Sequence, residues 1–223
     1  MQLPTEEDFA ARRERMVESQ LRARDITDPR VLEAMRRVPR HRFVPPSEHE
    51  LAYGDHPVGI GSGQTISQPY IVAYMTEALA LEPEARVLEI GTGSAYQTAI
   101  LAEIARDVYS IEVVEELADR AAAVLRELGY TNVHLRCGDG YAGWPEAAPF
   151  DGIIVTAAPD HVPPPLVAQL RLGARLVVPV GRGDQELLVL TRTEEGLREE
   201  QRLGVRFVPL VRSSRDSGLG IRD

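Results

Sequence analysis

The sequence contains no lysine, and its 25 strongly basic residues are all arginine. That absence excludes Schiff-base lysine chemistry. It also excludes a Walker A phosphate loop, whose lysine is obligatory. The single cysteine, Cys137, excludes an intrachain disulfide and any multi-cysteine metal site. It falls on an apolar run and reads as a small core residue. No apolar run reaches the roughly 18 residues of a membrane span. The opening MQLPTEEDFAARRE is acidic and has no apolar stretch, so it does not read as a secretory signal, and the expected location is the cytoplasm. Positive charge is in deficit: 34 Asp and Glu against 25 Arg leave a net charge of −9 over 223 residues. Such a chain is not built to coat nucleic acid. His41, His49, His56, His134 and His161 show no ligand spacing, and no metal is expected.

What is present is a regular alternation of elements. Residues 5 to 37 read as helical, with Thr5 and Asp8 as a capping pair and a restart at Asp28-Pro29. Residues 45 to 66, rich in Gly, Pro and His, read as a long loop, of a size that is usually functional or disordered. A helix is expected from Pro69 to Leu81. Continuous apolar strands follow at 86–91, 108–113, 133–139, 150–158, 174–181, 186–192 and 205–211. Helices are expected at 95–105, 115–128 and 163–171. The acidic stretch Glu194-Glu195 and Glu199-Glu200 reads as a solvated turn. Apolar strands alternating with helices argue an α/β fold, a parallel sheet covered on both faces, with an antiparallel pair at one edge. One domain is expected over 1–223: N-terminal helices and an acceptor loop over 1–81, an α/β core over 82–211 and a polar tail over 212–223.

The sharpest local signal is Val87-Leu88-Glu89-Ile90-Gly91-Thr92-Gly93-Ser94-Ala95-Tyr96, where the first core strand meets a helix. Gly91 and Gly93 allow a tight turn and close approach of a ligand to the backbone. A dinucleotide fingerprint needs a third glycine where Tyr96 stands. The spacing instead suits the G-x-G-x-G turn of S-adenosylmethionine-dependent methyltransferases, with Ala95 at the third site. Glu112 ends the second strand, 23 residues after Glu89. An acid at that distance is placed to accept from a ribose diol; alternatively it caps the following helix. Asp139, between Gly138 and Gly140 at the end of the third strand, can accept from an adenine amine or simply make an Asp-Gly turn. Three successive strand ends thus present ligand-type residues along one edge.

Four segments then resemble the protein-L-isoaspartate O-methyltransferase family: VPRHRFV (38–44), GQTISQPY (63–70), VLEIGTGSAYQTAIL (87–101) and APFDGIIVTAA (148–158). The closing VRFVPL (205–210) matches as well, and the likeness runs from about Met16 to Val211. It implies a Rossmann-like seven-stranded methyltransferase fold with added N-terminal helices. It implies S-adenosylmethionine as cofactor and isoaspartyl-containing proteins and peptides as partners, with D-aspartyl a poorer acceptor and the enzyme a monomer. By the same resemblance Ser67 is the active-site serine. Gln64, Thr65, Ile66, Glu89, Gly91, Gly93, Ser94, Glu112, Asp139 and Gly140 form the cofactor set, and Val208 and Leu210 lie beside the peptide. One departure stands out: the family usually has Gly where this chain has Ala95.

The chemistry needs little acid–base help. A carboxylate acceptor, with an ordinary pKa of about 4, is already ionised at neutral pH. The protein must align it with the methyl and exclude water. Ser67 then orients the acceptor by a hydrogen bond, or caps the helix that follows. His56 is expected at the surface, and Tyr141 and Trp144 either edge the cofactor or pack. Competing readings are a methyltransferase for another peptide carboxylate and a cofactor-binding module without catalysis.

Overall fold

The computed structural model describes residues 4–212. Thr5 and Asp8 form the expected capping box, with Thr5 N–H donating to Asp8 Oδ2 at 2.8 Å, and α1 runs Glu6–Met16. A π-helical turn, Val17–Arg22, carries it on. Asp28 caps α2 (Pro29–Arg37) by accepting from Arg30 N–H at 2.8 Å, with Pro29 in the first turn where its missing N–H costs nothing.

The long loop expected at 45–66 holds more order than its composition suggests. A short 3-10 turn spans Pro46–Glu48, and β1 (Val58–Gly61) and β2 (Gln64–Ile66) make a small antiparallel hairpin. Val58, Ile60 and Ile66 turn inward and bury, which three apolar residues among glycines were enough to achieve. Helix α3 (Pro69–Ala78) follows.

The core is a seven-stranded sheet. Its elements are β3 (Arg86–Ile90), α4 (Tyr96–Ala102), β4 (Asp107–Glu112), α5 (Glu115–Glu127), β5 (Val133–Cys137), β6 (Phe150–Val155), α6 (Pro164–Gln169), β7 (Leu170–Val180), β8 (Gln185–Thr193) and β9 (Gly196–Val205). Strand order is β5-β4-β3-β6-β7-β8-β9, parallel from β5 to β7 and antiparallel at β8 and β9. Alternate residues of the central strands feed opposite layers. Val87 and Ile154 pack with the N-terminal helices, α3, α4 and α5, while Leu88, Ile90, Ile153 and Val155 pack with Phe150 and Leu166 on the other face.

Three expectations are corrected here. The last strand is 196–205, not 205–211: Glu199 and Glu200 lie in the sheet rather than in a turn, because an edge strand tolerates charge on its exposed side. Glu200 pairs with Arg175 at 3.0 Å and Arg198 at 2.9 Å. Residues 206–211 instead cross the ends of the parallel strands, with a β-bridge from Ala158 to Pro209. Cys137 is exposed, since β5 is itself an edge strand. The tail lies outside the described residues apart from Arg212. Among those residues no helix is long and apolar enough to cross a membrane.

Candidate active site

The strand order reverses between β3 and β6, so the chain leaves their C-terminal ends in opposite directions and opens a crevice. An open cleft lies there, bounded by Ile66, Ser67, Gly91, Gly93, Glu112 and Leu210. Among the described residues Glu112 is the one charged residue in its lining. Thr156, at the end of β6, bolts the crevice together: its hydroxyl donates to Gly91 O at 2.5 Å and lies 3.1 Å from Ile90 O.

Gly91 is required twice over. Its φ is +95°, and a Cβ there would stand 2.5 Å from Thr156 Oγ1. Ala95 occupies a left-handed position at φ 68°, fully buried, as the residue before α4. The family's usual glycine would sit there without strain, whereas Ala carries a cost of about 1–2 kcal/mol. Ser94 lines the cleft and supplies the cap Ala95 lacks, its Oγ accepting from Tyr96 N–H at 3.2 Å.

Glu112 faces the cleft, and it does not cap α5, whose N-cap, Val114, has no side-chain hydrogen bond. It is 6% exposed. One carboxylate oxygen accepts from Gly93 N–H at 2.8 Å, and the other from Val113 and Val114 N–H at 2.9 and 3.0 Å. The group therefore joins the glycine turn to the start of α5 while facing the cleft. Asp139 stands beside the cleft rather than in its wall: it caps a 3-10 turn through Tyr141 N–H at 2.9 Å and lies 3.5 Å from Arg212. Its neighbour Gly140 does line the cleft, and a Cβ there would meet Ile90 Cγ2 at 2.3 Å.

Glu89 is corrected outright. It points beneath the turn, fully buried, and reaches no part of the cleft. Thr98 and Ser110 hydroxyls donate to Oε2 at 2.5 and 2.6 Å, and Thr92 continues the chain to Ser110 at 2.6 Å. Oε1 is buried without a partner. Burial pushes the carboxyl from its ordinary 4.5 up to about 8, against the two hydroxyl donors. The folded state therefore holds a proton that the unfolded state releases. Its contribution is complete below pH 4.5 and is lost as pH rises through about 8. Glu89→Gln is expected to flatten the fall in melting temperature between pH 5 and pH 8; an unchanged pH slope would refute a protonated Glu89.

Gln64, Thr65, Ile66 and Ser67 border the cleft from the hairpin side. The hairpin is tied to α5 by Arg120 donating to Ile60 O at 3.0 Å and Ser62 donating to Glu116 at 3.1 Å. Ser67 does not cap α3. Gln68 holds the N-cap position without a side-chain hydrogen bond, so the first turn of α3 remains uncapped. Beyond Ser67 an open groove is bordered by Ile71, Phe207 and Val208, with Thr65, Ser67 and Thr156 common to groove and cleft.

Val208 to Leu210 form the ridge between the two. Ala158 holds them, its N–H donating to Val208 O and its carbonyl accepting from Leu210 N–H, both at 2.8 Å. The Gln185 amide imitates a strand partner, accepting from Phe207 N–H at 2.5 Å and donating to Phe207 O at 3.0 Å. Tyr141 donates to Leu210 O at 3.3 Å, while Trp144 packs against Tyr109 away from the cleft. His56 is exposed. No three His, Cys, Asp or Glu side chains among the described residues gather to hold a metal ion.

Sequence reasoning missed Thr156, Gln185 and Arg40. Thr156 had a usable signal, a hydroxyl residue closing an apolar strand adjacent to the glycine turn. Gln185 holds Phe207, and Arg40 donates to Ser67 O at 2.7 Å; both act on backbone atoms remote in sequence, to which no spacing rule points.

The profile of the family described as protein-L-isoaspartate(D-aspartate) O-methyltransferase matches residues 11–215. A protein-L-isoaspartate O-methyltransferase of Picosynechococcus is 58% identical over 215 residues, covering 94% of this chain and 97% of that protein. One from Gloeobacter violaceus is 58% identical over 199 residues, covering 88% and 97%. A solved protein-L-isoaspartate O-methyltransferase superposes with a TM-score of 0.81 at 30% identity over 88% of this chain, which spans 65% of that structure's length. A structure from Plasmodium falciparum described under the same activity, in complex with S-adenosyl-L-homocysteine, superposes at 0.78 with 27% identity, covering 89% of this chain and 98% of that one.

Proposed function

This chain belongs to the protein-L-isoaspartate O-methyltransferase family, and we propose that Ser67 and the uncapped start of α3 hold its acceptor carboxylate while Glu112 and the glycine turn hold its methyl donor. The enzyme transfers a methyl group from S-adenosylmethionine to isoaspartyl residues of damaged proteins. The donor, when bound, supplies a methyl already activated on a sulfonium. The cleft suits it: backbone at Gly91, Gly93 and Gly140 lines it beside the Glu112 carboxylate, with Ile66 and Leu210 as apolar walls. Glu112 is the acceptor for a ribose diol, Ile111 and Val113 flank the same end, and Gly93 and Ser94 lie along the turn. Asp139 takes the amine edge, from beside the cleft.

The carrying observation is the chemistry of the walls. Among the described residues no His, Cys or Arg lines the cleft, so its walls are suited to bind, orient and exclude water rather than to move protons. An ionised carboxylate needs nothing more. The Ser67 hydroxyl donates to it, and the start of α3, which has no side-chain cap, favours an anion. The groove beside Val208 and Leu210 takes the peptide. A net charge of −9 disfavours nucleic acid, and we propose a monomeric enzyme of the cytoplasm that acts apart from it.

Ser67→Ala tests the assignment. A hydrogen bond to a charged group contributes about 1.5–3 kcal/mol. The expected result is a fall of roughly ten- to a hundredfold in kcat/KM for an isoaspartyl peptide, with S-adenosylhomocysteine affinity unchanged by calorimetry. Full activity in this variant would remove Ser67 from the acceptor site.

A further inference from the structure

Arg40 follows Pro39 in a short 3-10 turn and is wholly buried. No carboxylate among the described residues pairs with it. Its guanidinium spends its donors on backbone instead: Nε donates to Ala52 O at 2.6 Å and Nη2 to Ser67 O at 2.7 Å. Nη1 has no partner, and the group lies 4.8 Å from the ring centre of Tyr96, the first residue of α4 and part of the cleft wall. Burial lowers its pKa only to about 10, so it stays cationic at neutral pH. A buried charge without a counterion is costly, and packing alone is served better by an apolar side chain of similar volume. The two carbonyls it joins bracket the segment 52–67, which contains the β1–β2 hairpin. One planar fork closes the base of that segment on the residue that faces the acceptor.

We propose that Arg40 is a positioning residue for methyl transfer: it fixes the backbone of Ser67, and so the direction of its hydroxyl, relative to the glycine turn. The proposal rests on the Ser67 reading above. Arg40→Lys keeps the charge but cannot bridge both carbonyls, since an ammonium is a point donor and not a fork. Misplacement of a reacting group by about 1 Å costs on the order of a hundredfold. Arg40→Lys is therefore expected to lower kcat for an isoaspartyl peptide at least tenfold, with S-adenosylhomocysteine affinity within twofold of wild type. Activity is measured with cofactor saturating, which holds the fold.

The double variant Arg40→Lys/Ser67→Ala separates this proposal from its premise. If Arg40 acts through Ser67, the lysine change costs little once the hydroxyl is gone. An equal loss in both backgrounds overturns the Arg40 proposal and leaves Ser67 standing, whereas full activity in Ser67→Ala alone overturns the Ser67 reading and with it the positioning role. A wild-type measurement keeps the test open should the variants fail to fold. The Arg40 Nε–H resonance, assigned by nitrogen-15 labelling, is expected to shift on adding an isoaspartyl peptide to the cofactor-loaded enzyme and not on adding its aspartyl twin. An unmoved resonance refutes the proposal.

Discussion

Glu112→Ala is expected to weaken S-adenosylmethionine binding by at least a hundredfold, the largest loss of any single substitution in the cleft. Two effects combine. The ribose diol loses its charged acceptor, worth about 1.5–3 kcal/mol per hydrogen bond. The N–H groups of Gly93, Val113 and Val114 lose theirs as well, and they are what hold the glycine turn against the start of α5. A total of about 3 kcal/mol corresponds to the hundredfold. Glu112→Gln keeps one oxygen acceptor and should fall between wild type and Ala. Isothermal titration with S-adenosylhomocysteine measures both, and a melting curve separates a loosened turn from an unfolded chain. Wild-type affinity in Glu112→Ala would exclude the carboxylate from the cofactor site.

Glu112 shows what the sequence could carry. Its distance from the glycine turn announced an acid at the second strand end, and the alternative of a helix cap was equally readable. The carboxylate faces the cleft, as the first reading requires, while its bonds to Val113 and Val114 N–H stop short of α5, which has no side-chain cap. The central parallel strands β3 and β6, written as apolar runs, were legible because both of their faces are buried. The end of the sheet was not. β9 carries Arg198, Glu199 and Glu200, and an edge strand needs apolar residues on one side only, so its pattern dissolves into charge. VRFVPL looks more like a strand than β9 does, yet Pro209 lacks the N–H for a regular ladder, and the segment lies across the strand ends instead. Glu89 misled for a related reason. Acid residues near a glycine turn suggest ligand contact, but side chains alternate along a strand, and this one points to the buried layer beneath. Arg40 was invisible because its partners are carbonyls, which every residue possesses.

Substrate choice gives the second large effect. An isoaspartyl residue routes the backbone through its side-chain carbonyl and leaves the α-carboxylate free on a short arm. A normal aspartate carries its free carboxylate one methylene further from the α-carbon. The ridge of Val208, Pro209 and Leu210 is fixed by Ala158, Gln185 and Tyr141, so a peptide lying along it cannot shift to compensate. Ser67 is fixed by Arg40 on the opposite side. With both walls held, only the shorter arm brings an oxygen into line with the methyl. Displacement by about 1 Å costs on the order of a hundredfold in rate, and one methylene exceeds that displacement. The expected result is a base-labile methyl ester on an isoaspartyl peptide, formed at least a hundred times faster than on its aspartyl twin of the same sequence. Gln185→Leu, which releases Phe207, should raise KM for the isoaspartyl peptide and narrow the ratio while leaving S-adenosylhomocysteine affinity in place. Labelled donor and matched peptides measure all three quantities. Equal rates on the two peptides would mean that the ridge does not set the register, and that another peptide carboxylate is the acceptor this groove was shaped for.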